Sequence, residues 1–183
     1  PYWGPCRSRD RYEVGTEPTT IEITKPEPIR GLTAAAFDWA FDPRCWRLQF
    51  PHFAGPVVYH DCIATTGDIR PPSAADIPEQ TYLAYGTSIT QGGQATGPHL
   101  SYAAQTSRRL DVDFLNLGTA GSAFCEPAIT DYIASLDWDI ATLALSVNMP
   151  GVFSVEEFRS RSKYMIEELA DTGRPVVAIT LLP

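Results

Sequence analysis

Tyr82-Leu-Ala-Tyr-Gly-Thr-Ser88-Ile-Thr-Gln-Gly92 is the stretch on which the reading of this chain turns. Residues 82–85 form a short apolar run, too short for a helix and suited to a strand buried on both faces. Gly86 permits a tight turn directly after it, and that turn presents one hydroxyl, Ser88. Gly92 and Gly93 leave open space behind the serine. A strand running into a small-residue turn is how a nucleophilic serine is displayed. An ordinary strand-to-loop turn is the plain alternative, and this segment by itself does not separate the two.

The same pattern repeats downstream. Residues 113–117, 140–147 and 175–182 are continuous apolar runs that predict three more strands. Helices fill the gaps between them. Ser101 can cap one running to about Leu110, and Pro127 suits the first turn of one running to about Leu136. Ser154-Val-Glu-Glu157 reads as a capping box for a third, with Val155, Phe158, Met165, Ile166 and Leu169 as its apolar stripe. Strands separated by helices of this length imply right-handed crossovers, and hence an α/β fold with a doubly wound parallel sheet. Ligands of such sheets bind beyond the carboxyl ends of the strands.

Residues 1–76 read differently. They are rich in proline and carry short alternating segments at 20–24, 46–50 and 56–62, which predicts a small β-rich domain of sandwich or jelly-roll type. The connector Arg70-Pro-Pro-Ser-Ala-Ala-Asp-Ile-Pro78 places the boundary between domains 1–76 and 77–183.

With 183 residues, 44% of them apolar and 20% charged, the chain can bury a substantial core. A formal net charge of −8 argues against a nucleic-acid partner, whose binding draws on clustered Lys and Arg. The basic spots at 7–11 and 159–163 are interrupted by acids or lie on the third helix, and read as solvated faces. No apolar run approaches the roughly 20 residues of a membrane span, and no signal-peptide pattern is visible. Cys6, Cys45, Cys62 and Cys125 are scattered, with no histidines at ligand spacing, so metal binding is not expected; buried thiols are the expectation and disulfides the alternative. A cytoplasmic location is the expectation, with secretion left open.

The residues that follow each strand would face one crevice. They are Gly86-Thr-Ser88, then Asn116-Leu-Gly118-Thr-Ala-Gly121-Ser122, then Ser146-Val-Asn148-Met149. A serine, a glycine-rich turn and a carboxamide thus converge, and acyl transfer requires a nucleophile with preorganised donors for its oxyanion. The three blocks resemble those of the SGNH family, also called GDSL hydrolases, and occur in the family's order. The resemblance implies a flavodoxin-like SGNH fold over residues 81–183. It makes Ser88 the nucleophile, Gly121 a backbone oxyanion donor and Asn148 a side-chain oxyanion donor, the Ser88 N–H completing the hole.

Two positions depart from the family pattern: Thr87 and Met149 stand where the family commonly has aspartate. The family's fourth block, Asp-x-x-His, is absent, and the chain stops at Pro183 on or just past the fourth strand. The expectation is a chain cut short, with the Asp-His pair downstream. His52, His60 and His99 read as solvated or structural residues. A β-sandwich ahead of the SGNH part resembles a subgroup that includes carbohydrate esterases and some acyltransferases, and Phe50-Pro51-His52 fits that layout.

The expected function is therefore a serine esterase or acyltransferase acting on a small-molecule or carbohydrate ester through an acyl-Ser88 intermediate, with no cofactor. One alternative is a non-catalytic carbohydrate- or ligand-binding relative with an incomplete site. Another is a dinucleotide- or phosphate-binding module, which fits worse: residues 118–121 lack the leading glycine of G-x-G-x-x-G, and residues 86–93 lack the lysine of a P-loop.

Overall fold

The structure, a computed structural model, describes residues 2–3, 6–7, 12–25, 27, 30–31, 45–48, 57–145 and 147–180. The chain divides into two compact units, Pro1–Trp46 and Arg47–Pro183. In the first, strands β1 (Tyr2–Trp3) and β2 (Cys6–Arg7) pair antiparallel. Of the strands expected at 20–24, 46–50 and 56–62, the described residues form none; the last two lie at and beyond the boundary with the second unit. Trp46, Leu48, Val58 and Tyr59 are exposed, where a half-buried strand would cover alternate side chains. Residues 49–56, which include Phe50, Pro51 and His52, lie outside the described residues.

The second unit bears out the α/β expectation. Strands β3 (Thr81–Gly86), β4 (Asp113–Gly118), β5 (Ile140–Ala144) and β6 (Val176–Ile179) form one parallel sheet in the order β4-β3-β5-β6. Four helices accompany it: α1 (Ser88–Gln91), α2 (Tyr102–Leu110), α3 (Pro127–Ser135) and α4 (Val155–Ala170). A 3-10 turn, Pro98–Leu100, precedes α2.

Alternation along β3 shows that the sheet is covered on both sides. Leu83 and Tyr85 join a core with Ile133 of α3, Leu143 of β5, and Met165 and Leu169 of α4. Tyr82 and Ala84 belong to a second cluster with Ala103 of α2 and Val112. Each side chain on this strand therefore has a helix layer to pack against, which is why the run reads as continuously apolar.

The caps follow the sequence with one change. Ser101 Oγ accepts the Ala104 N–H at 3.1 Å, and Ser154 Oγ accepts that of Glu157 at 3.1 Å. The capping box is half made, because the Glu157 carboxylate is held by Arg161 at 3.0 Å, one turn further on. The expected stripe on α4 is also narrower than predicted. Met165 and Leu169 are fully buried, whereas Val155 is 77% exposed and Ile166 faces outward from the same helix. Strand β5 stops at Ala144 rather than 147, and Leu145 turns into the core.

Register brings the strand ends level. Gly86 pairs with Gly118 on one side and with Ala144 on the other. The loops after three adjacent strands thus depart from one row.

Candidate active site

Ser88 lies two residues beyond that row, as the first residue of the short helix α1. Thr87, almost fully buried, caps the helix by accepting the Ile89 N–H at 3.3 Å. Gly92 ends it in a left-handed conformation, and the N–H groups of Gly92 and Gly93 both donate to the Ser88 carbonyl, at 3.0 and 2.8 Å. Ser88 is half-buried. Among the described residues its hydroxyl has no side-chain partner.

The turn sits directly on the two paired glycines. A Cβ on Gly118 would lie 2.2 Å from the Gln91 nitrogen, and one on Gly86 would lie 2.2 Å from Thr90 Oγ1 and 2.9 Å from the Ala144 Cβ. Only glycine allows α1 to approach the strand ends this closely. Asn116 secures the contact from β4: its Nδ2 donates to the Thr90 carbonyl at 3.1 Å, while its Oδ1 accepts the Gly118 N–H at 2.9 Å. On the far side, Thr90 Oγ1 lies 2.9 Å from the Tyr102 hydroxyl.

Gly121 lies three residues beyond Gly118, exposed, with φ +72° and open space where a Cβ would be. Its glycine is required by backbone conformation rather than by crowding. The loop that carries it is fastened further along. The buried Tyr85 hydroxyl accepts the Cys125 N–H at 3.1 Å, and Arg161 Nη1 donates to the Phe124 carbonyl at 3.3 Å while its guanidinium lies 4.3 Å from the centre of the Phe153 ring. Burial drives both groups of the first contact toward their neutral forms: the Tyr85 phenol is pushed well above the usual tyrosine range and the Cys125 thiol is pushed up to about 12.

Asn148 lies four residues beyond Ala144. Its Oδ1 accepts the Ala123 N–H at 3.3 Å, which ties the loop after β5 to the loop after β4. Among the described residues, the Asn148 Nδ2 and the amide N–H groups of Ser88 and Gly121 donate no hydrogen bond. Met149, next in sequence, is fully buried in the core.

The sequence-predicted residues Ser88, Gly121 and Asn148 thus occupy loops after three neighbouring strands. Sequence reasoning missed Thr90, Asn116 and Tyr102, which hold the serine turn. The only signal was that Asn116 belongs to the same block as Gly118. His60 is exposed in a segment without regular structure, His99 lies in the 3-10 turn, and His52 is outside the described residues. Cys62 is exposed and Cys125 buried, both as free thiols, so burial holds for only one of this pair. Among the described residues no three His, Cys, Asp or Glu side chains gather as metal ligands would, and no helix is long and apolar enough to cross a membrane.

A model of the GDSL-like lipase/acylhydrolase family matches residues 79–182. Among solved structures, the chain is similar to a candidate GDSL-like lipase from Bacteroides ovatus, with 26% identity over 56% of this chain and a TM-score of 0.48. It is also similar to the salicylyl-acyltransferase SsfX3 from a tetracycline biosynthetic pathway, with 19% identity over 57% and a TM-score of 0.48. A two-domain esterase active on acetylated mannans matches at 23% identity over 54%, with a TM-score of 0.44. The chain spans 30% of the length of each of these structures. No curated protein matches it.

Proposed function

This chain belongs to the GDSL-like lipase/acylhydrolase family, and on that premise we propose that it carries the nucleophile and oxyanion hole of a serine esterase or acyltransferase. The observation that supports this best is the level row of Gly86, Gly118 and Ala144, from which three loops present a serine and three N–H donors left uncommitted among the described residues.

In the proposed reaction Ser88 Oγ attacks the carbonyl carbon of a carboxylic ester. Its proton passes to a base, expected in an Asp-x-x-His block beyond Pro183. The carbonyl π pair moves onto oxygen, where the Ser88 and Gly121 N–H groups and Asn148 Nδ2 stabilise it. Collapse expels the alkoxide, which leaves as the alcohol with the proton from the base, and acyl-Ser88 remains. Water or a second alcohol then takes the acyl group by the same steps in reverse. Small-molecule and carbohydrate esters are the proposed substrates, and no cofactor takes part. A separate domain over 1–76 ahead of a hydrolase domain over 77–183 belongs to the same proposal, tested by limited proteolysis of the connector.

The test of the nucleophile is covalent labelling by a fluorophosphonate probe in the full-length protein. Labelling at Ser88, lost in Ser88→Ala, is the expected result; full esterase activity in Ser88→Ala sinks the assignment. A non-catalytic ligand-binding role is the second reading, favoured by the lack, among the described residues, of a side-chain partner on the Ser88 hydroxyl. Ligand binding that survives Ser88→Ala in a protein that is never labelled would select it.

A further inference from the structure

The serine turn α1 is four residues long, too short to be stable as an isolated helix, so its position depends on what holds it. Most of that hold passes through Thr90. This residue is fully buried, and its carbonyl accepts Asn116 Nδ2 from β4. Its hydroxyl lies 2.9 Å from that of Tyr102, at the start of α2. Gly86 makes room for the same hydroxyl, which lies where a side chain at position 86 would be.

Tyr102 is itself held. Its ring packs against the cluster of Tyr82, Ala84, Ala103 and Val112, in which the Tyr82 hydroxyl lies 2.6 Å from Thr142 Oγ1 of β5. The Tyr102 hydroxyl thus joins the first residue of α2, seated on the cluster beneath it, to the turn that carries Ser88. Burial raises the Tyr102 phenol above the usual tyrosine range, so its bond to Thr90 persists as a neutral hydrogen bond at neutral and mildly alkaline pH.

We propose that the Tyr102–Thr90 hydroxyl bond fixes Ser88 relative to the oxyanion donors, with Tyr102 and Thr90 as positioning residues that do not touch substrate. The proposal rests on Ser88 being the nucleophile. A one-turn helix held only by Asn116 can rock about that contact, and the second hold from α2 stops it. A nucleophile displaced by a fraction of an ångström reacts more slowly even when the substrate binds as before. Threonine serves this purpose where valine of the same shape would not, because only the hydroxyl makes the link.

The experiment compares Tyr102→Phe, Thr90→Val and Thr90→Ser in the full-length protein. It reads amide hydrogen exchange at Gly92 and Gly93, whose N–H groups bond the Ser88 carbonyl, and the rate of fluorophosphonate labelling at saturating probe. Tyr102→Phe and Thr90→Val are expected to speed exchange at these two amides by about ten-fold, the worth of one hydrogen bond, and to slow labelling by about ten-fold. Strand amides of β4 and β5 stay as they were. Thr90→Ser, which keeps the hydroxyl, restores both readouts, and Tyr102→Phe with Thr90→Val is no worse than Thr90→Val alone.

The proposal is overturned if Tyr102→Phe leaves both readouts unchanged. It is equally overturned if the faster exchange spreads over the β4 and β5 amides, which would make the bond a general stability contact. A wild-type protein that is not labelled at Ser88 removes its premise, and the exchange data then report separately on whether the bond braces the turn.

Discussion

Asn148 Oδ1 accepts the main-chain N–H of Ala123 at 3.3 Å, so the residue with the proposed oxyanion donor is oriented by the loop that carries Gly121. The acceptor end of the carboxamide is committed to the protein, and the donor end is the part left for a ligand. Asn148→Ala is expected to lower turnover by about 10²–10³ while Ser88 is still labelled, with a stability loss of about 1 kcal/mol. Asn148→Asp keeps an oxygen for Ala123 but places a carboxylate beside the developing oxyanion, so it is expected to be at least as damaging to turnover with less effect on stability. Steady-state kinetics alongside urea unfolding checks both; an Asn148→Asp protein with near-normal turnover would remove the donor role.

The two glycines of the second loop serve different physical needs and should fail differently. Gly118→Ala drives a methyl into the Gln91 backbone, which cannot swing aside, and is expected to cost about 3 kcal/mol or more. Gly121→Ala meets nothing and costs only the left-handed conformation, about 1–2 kcal/mol. Chemical denaturation of the two variants side by side is the measurement, and equal losses would contradict the close seating of α1.

Thiol chemistry offers a check on the core that does not depend on activity. Burial pushes the Cys125 thiol up to about 12, whereas Cys62 is exposed. Iodoacetamide at pH about 8 should therefore modify Cys62 and spare Cys125 in the native protein, and modify both after denaturation. Peptide mass spectrometry reads the result; rapid native modification of Cys125 would mean that the loop beyond Gly121 opens freely.

The connector ahead of the sheet contains an acid-sensitive clasp. Asp76 accepts Arg70 Nη1 at 2.8 Å, Ser73 Oγ at 2.6 Å and the Ser73 N–H at 2.8 Å. The Arg70 guanidinium first, and the Ser73 hydroxyl and amide after it, hold this carboxyl well below its ordinary value of 3.8. Because the folded value is depressed, the stabilisation is fully present above 3.8 and is lost as pH falls from there through the folded value. The Ser73 amide proton shift should titrate with a midpoint clearly below 3.8, move up toward it in Arg70→Ala, and stop titrating in Asp76→Asn. A wild-type midpoint at the ordinary value would show the clasp to be open.

How far the sequence could be read followed from where each residue's partners lie. The four strands were legible because a strand covered on both faces needs an apolar side chain at every position, and such runs stand out. Strand β5 was read too long for the same reason: Leu145 and Val147 continue the apolar run, yet the chain has already turned. Helix α1 was invisible because four residues carry no period. Ser88, Gly121 and Asn148 could be picked out because each follows a strand, and strand ends meet in this topology. Thr90, Asn116 and Tyr102 could not, since their bonds join residues 26 and 12 positions apart whose meeting depends on the packing of α1. In residues 1–76 the alternation at 20–24 and 56–62 signalled strands that the described residues do not form; side chains there are exposed in consecutive runs, without the buried face that alternation implies.

The level row at Gly86, Gly118 and Ala144 also bears on how such a site can diversify. Each of the three loops leaves the sheet at its own fixed point, so residues can be inserted beyond Ser122 or beyond Met149 without shifting the register of any strand. The platform under the serine tolerates little variation, with a strand whose neighbours crowd both faces and two positions open only to glycine. Change can accumulate in the loop tips while Ser88 stays where it is, so the surroundings of one serine can be remodelled by substitutions that never touch its foundation.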